Sequence, residues 1–133
     1  MRLVMKFGGT SVASGERLKH VAGLINRYRD EGHEVVVVIS ALEGVTNKLL
    51  DFSTKVVEGV ETGKMKAGEI SDFVNALRKQ HIEAARVIDD EKIFENVKSE
   101  IELRMSELEN VLIGIYHLGE LTPRSLDYIL SFG

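Results

Sequence analysis

At 133 residues, with 44% hydrophobic and 29% charged positions, the chain has the size and make-up of one globular domain with a real core. A net charge of −4 without any basic run argues against a dedicated nucleic-acid binder, and the absence of cysteine removes disulfides and thiolate metal sites. The longest aliphatic run, Val35 to Ile39, is far too short to span a membrane; with no signal-like N-terminus, linker or repeat, the simplest expectation is a cytoplasmic protein.

In chain order, Arg2 to Phe7 reads as a strand that runs into Lys6-Phe7-Gly8-Gly9-Thr10-Ser11. Adjacent glycines let a ligand approach the backbone closely and tolerate positive φ, and amides exposed just before a helix attract anions. Lys6 places a compact positive charge at the same spot, and Thr10 and Ser11 add hydroxyl donors. The order of lysine before glycines is neither the P-loop nor the dinucleotide fingerprint, and a turn using Gly8-Gly9 for geometry alone is the competing reading. Glu16 to Arg29 then has helical spacing, with Leu18, Val21, Ala22, Ile25 and Tyr28 on one face and Gly32 as its C′ residue. The β-branched run Val35 to Ile39 suits a parallel strand covered on both faces. Residues 1–47 are thus a β-α-β unit, whose crossover brings the turns after both strands to one sheet edge.

The second of those turns is Ser40-Ala41-Leu42-Glu43-Gly44-Val45-Thr46-Asn47. Hydroxyls of Ser40 and Thr46 beside fresh helix amides suit a small carboxylate. Thr46 or Asn47 taken alone reads better as a plain helix N-cap, and it is the meeting of two such turns at one sheet edge that favours a site. Residues 48–120 are helical by periodicity: one stripe runs from Val45 to Val60, a second from Ile70 to Ile88, and a third from Phe94 to Ile115. They predict packed antiparallel helices, with Glu100 set to pair with Arg104. His81 falls on an apolar stripe as a core or boundary residue, and Asp89-Asp90-Glu91 reads as a solvated loop. Gly119 ends the third helix, Thr122 caps the next and Pro123 fits its first turn, opening a final stretch, 121–133.

Three of these stretches carry a resemblance. Lys6-Phe7-Gly8-Gly9-Thr10-Ser11-Val12, Ser40 through Asn47, and Leu121-Thr122-Pro123-Arg124 through Ser131-Phe132-Gly133 resemble, in order, three motifs of the aspartate kinases, within the amino acid kinase family. That resemblance implies a three-layer αβα fold, here an α/β chain that opens as parallel β-α-β and continues as a mainly helical segment. It implies transfer of the ATP γ-phosphate to the side-chain carboxylate of L-aspartate, at the head of lysine, methionine and threonine biosynthesis, with Mg²⁺ carried on the nucleotide phosphates. Lys6 would be the catalytic cation, with Gly8, Gly9, Thr10 and Ser11 binding phosphate and Ser40 and Thr46 binding aspartate.

The family's closing motif continues into a glutamate that would fall just past Gly133, and its adenine-binding and regulatory regions have no counterpart here. The expectation is therefore the N-terminal portion of a catalytic domain, with little activity by itself and self-association, as a dimer, through an open strand edge or the helical segment. Another family member acting on acetylglutamate, carbamate or a nucleotide, and a non-catalytic helical interaction module, are the alternatives.

Overall fold

The computed structural model describes all residues, 1–133. The chain runs β1 (Arg2–Phe7), α1 (Gly15–Asp30), β2 (Glu34–Ile39), α2 (Val45–Glu61), α3 (Ala67–Ala85), α4 (Glu91–Leu118) and α5 (Pro123–Leu130). β1 and β2 pair in parallel, with Lys6 opposite Val38 and Phe7 opposite Ile39. The pairing continues one residue past β2, because the Ser40 amide donates to the Phe7 carbonyl at 3.0 Å. Ser14 caps α1 through a bond from the Arg17 amide, and Gly32 takes the left-handed conformation (φ 86°) just beyond its end.

From residue 45 onward the chain builds its own core. Twelve buried side chains from Val45 to Ile129 form one cluster, and none comes from β1, α1 or β2. Antiparallel order shows in the cross-helix pairs: Lys55 bonds Glu69 while Lys48 bonds Gln80 between α2 and α3, and Ser71 bonds Glu109 between α3 and α4. Phe52 and Phe73 stack with centroids 3.9 Å apart. The C-terminal boundaries follow the expected chemistry: Gly119 closes α4 at φ 69°, and Thr122 accepts from the Ser125 amide with Pro123 in the first turn of α5. His81 is half-buried with Nδ1 2.8 Å from the Leu77 carbonyl, which makes it a satisfied boundary residue.

Two expectations fail. β2 is not covered on both faces: Val36 and Val38, on the face of the two-stranded sheet that nothing covers, are 49% and 48% exposed, and Ile39, at the strand end on the α1 side, is still 57% exposed. Val4, on the bare side opposite Val36, is 70% exposed. An unbroken β-branched run reports what a strand is suited to, not what this chain supplies as cover. Arg104 pairs with Glu107 at 3.0 Å rather than with Glu100; both lie within helical reach, and the arginine turns toward the helix C-terminus.

Candidate functional site

The first turn is held by its own backbone. The Ser11 and Val12 amides both donate to the Gly8 carbonyl, at 2.9 and 3.3 Å, and Val12 is completely buried as the anchor. The Gly9 and Thr10 amides donate to no group in the fold. Neither Gly8 nor Gly9 has positive φ, so turn geometry does not require them. A Cβ on Gly9 would meet nothing within 4 Å, and one on Gly8 only Lys6 Nζ, at 3.8 Å. What glycine provides here is bare backbone facing open space, beside an ammonium that pairs with no carboxylate.

The second turn is a mouth onto α2. Its N-cap is Gly44, in the left-handed region at φ 76°, with no side-chain cap. Thr46 and Asn47 therefore sit inside the first helical turn instead of capping it, and neither of their amides has a partner in the fold. An uncapped helix start leaves these donors and the positive end of the dipole open to a ligand.

These two turns form one cleft of about 400 Å³, with Gly9 and Thr10 on one wall and residues 40–44, Thr46 and Asn47 on the other. Lys6, Gly8 and Ser11 do not line it, and Ser11 lines a neighbouring cavity with Phe7, Glu16, Arg17 and His20. Side chains alternate along a strand, and the register carries Lys6, Val38 and Ser40 on the same, uncovered face of the sheet. The stretch after α5 also arrives here: a Cβ on Gly133 would lie 3.1 Å from Ala41 Cβ and 3.5 Å from a Val45 methyl. A second cavity, about 480 Å³ between α1, α3 and α4, is lined almost wholly by apolar groups and lacks convergent donors.

Sequence reasoning missed the residues that brace the turns. Arg17 donates to the Thr10 carbonyl at 2.9 Å, Gln80 donates to the Glu43 carbonyl at 3.3 Å, and Lys48 donates to the Gln80 amide oxygen at 2.9 Å. The only prior signal was for Arg17, one turn into the helix that the phosphate-type turn feeds.

A lysine, free amides and hydroxyls converging at one sheet edge are a set of donors for anions. The amino acid kinase family profile matches residues 1–125. The chain belongs to the amino acid kinase family. Within it, the chain is 39% identical to aspartokinase 1, chloroplastic, of Arabidopsis thaliana over 131 residues, which are 98% of this chain and 21% of that protein. It is 40% identical over 130 residues to aspartokinase 2, chloroplastic, of the same plant, covering 98% of this chain and 22% of the relative. A 56-residue stretch, 42% of the chain and 14% of the relative, is 46% identical to an aspartate kinase of Stutzerimonas stutzeri. This amino acid kinase chain thus spans about a fifth of the length of the plant relatives it matches. No helix in it is long and apolar enough to cross a membrane.

Proposed function

We propose that this chain supplies the phosphate-binding and acceptor-binding turns of an ATP-dependent aspartate kinase. The observation that carries the reading is the shared cleft, which sets the unpaired amides of Gly9 and Thr10 against those of Thr46 and Asn47. In the reaction, a side-chain carboxylate oxygen of L-aspartate attacks the γ-phosphorus of ATP, the bond to the bridging oxygen breaks, and ADP leaves with that electron pair. The carboxylate is already ionised near neutral pH, so no protein base is needed. What the protein must do is align two anions and neutralise the charge that repels them.

Lys6 serves that second task from the open sheet face, over Gly8. Backbone amides of Gly8 and Gly9, with the Thr10 and Ser11 hydroxyls, receive phosphate oxygens. Ser40 and Thr46, on the far wall, receive the aspartate. Mg²⁺ enters this reading as a passenger on ATP: the free amides of the turn and the Lys6 ammonium are donors suited to the phosphate oxygens that carry the ion. In this reading ATP and L-aspartate are the small-molecule partners and a second copy of the chain is the protein partner.

Titration of the ¹⁵N-labelled chain separates the two roles. Mg·ATP is expected to shift the amides of residues 8–11, and L-aspartate those of residues 40–47, with L-glutamate weaker. Shifts confined to the apolar cavity beneath α1, or an equal response to both amino acids, contradict the assignment.

A further inference from the structure

Gln80 lies near the end of α3, outside the cleft, yet its side chain reaches the backbone of the cleft wall. Its amide nitrogen donates to the Glu43 carbonyl at 3.3 Å, and its amide oxygen accepts from Lys48 Nζ at 2.9 Å. That carbonyl belongs to a tight turn, residues 42–45, closed by the Val45 amide donating to the Leu42 carbonyl at 3.1 Å. Gly44 in the turn has φ 76° and ψ −9°, and no non-glycine residue in the chain has positive φ. This combination defines a type II turn, with glycine at its third position.

A type II turn differs from a type I turn chiefly in the orientation of its middle peptide, here Glu43–Gly44. In a trans peptide the carbonyl and the amide point in opposite directions. Glu43 and Gly44 line the cleft, whereas Gln80 and Lys48 do not. The carbonyl drawn toward Gln80 therefore turns away from the cleft, and the Gly44 amide, which has no partner in the fold, turns toward it. The reverse orientation would present a carbonyl oxygen to any bound anion.

We infer that Gln80 is a positioning residue: by holding the Glu43 carbonyl, it keeps the Gly44 amide available as a further donor to the acceptor carboxylate. Lys48 fixes the rotamer of Gln80 and so acts one step further out. The ligand named here rests on the function proposed above; the peptide orientation does not.

Two variants of the 133-residue chain test it. Gln80→Ala removes both bonds. Gln80→Glu keeps the length and the acceptor for Lys48 but loses the donor to Glu43. The readouts are the residual dipolar coupling of the Gly44 N–H, which reports the peptide plane without any ligand, and the affinity for L-aspartate. Both variants are expected to keep the wild-type thermal midpoint, to change the Gly44 coupling, and to bind aspartate about three- to tenfold more weakly, the loss of one hydrogen bond. Phosphate-induced shifts at residues 8–11 should stay as in the wild type. An unchanged Gly44 coupling in the folded variants overturns the inference, as does wild-type aspartate affinity in Gln80→Glu. If the wild-type chain itself binds no aspartate, the proposed function fails, and the coupling alone still decides the role of Gln80.

Discussion

Gly9 and Gly15 answer an added methyl group in opposite ways. At Gly9 the new Cβ meets nothing, so Gly9→Ala is expected to leave stability unchanged or raise it by up to about 1 kcal/mol through the unfolded chain, while weakening phosphate binding. At Gly15 the Cβ would drive into the Ala84 carbonyl and lie 2.8 Å from a Val87 methyl, where α1 starts against the end of α3. Gly15→Ala should therefore cost about 1–3 kcal/mol in urea unfolding, although alanine is the better helix former. Lys6 makes no ion pair and is exposed, so Lys6→Met should change stability by less than about 0.5 kcal/mol. Isothermal titration with Mg·ATP should nevertheless show a large loss of affinity. Equal losses of folding and binding at Gly9 or Lys6 would make these residues structural.

Among the elements, those with strong local signals are the ones the sequence makes legible. Helical spacing finds α1 to α5, the Thr122-Pro123 pair finds the start of α5, and glycines beyond α1 and α4 take the left-handed conformation that stops a helix. Local signals mislead where two chemistries fit one position. Thr46 and Asn47 are good caps, yet Gly44 starts α2, because only glycine accepts φ 76° without strain. Arg17 and Gln80 could not be placed from periodicity, since their bonds to Thr10 and Glu43 cross from one element to another. Between α2 and α3, the hydrogen bond from Lys55 holds the Glu69 carboxyl below the usual carboxylate range. A carboxyl lowered in the folded state contributes stability above its unfolded pKa and loses it as pH falls through the folded one. Thermal midpoints measured from neutral pH down through the carboxylate range should thus fall slightly less in Lys55→Ala than in the wild type, the pair being solvent-exposed.

For the whole molecule, the governing fact is an asymmetry of cover. The helices from α2 onward bury a continuous core, whereas β1 and β2 present a bare face carrying Val4, Val36 and Val38 beside Lys6. Two open strand edges next to exposed valines favour association with a second copy. Light scattering after size exclusion should show the 133-residue chain as a dimer or larger, and Val36→Lys with Val38→Lys should make it monomeric; a concentrated wild-type monomer would contradict this. The double charge lies on the bare face and leaves the core untouched. The cleft at the end of that sheet is shallow, and its walls offer donors for phosphate and carboxylate but no apolar slot for a base. With ATP, Mg²⁺ and aspartate, the 133-residue chain is therefore expected to release little ADP.

The account depends on residues 8–11 and 40–47 opening onto one cleft, so that a triphosphate held by the first stretch lies close to the second. Titrating the ¹⁵N-labelled chain with Mn·ATP tests this directly, because the paramagnetic ion broadens amides according to their distance from the bound triphosphate. Both stretches should broaden together at the lowest additions, before α4 and α5 respond. Broadening of residues 8–11 while residues 40–47 stay sharp would contradict the account.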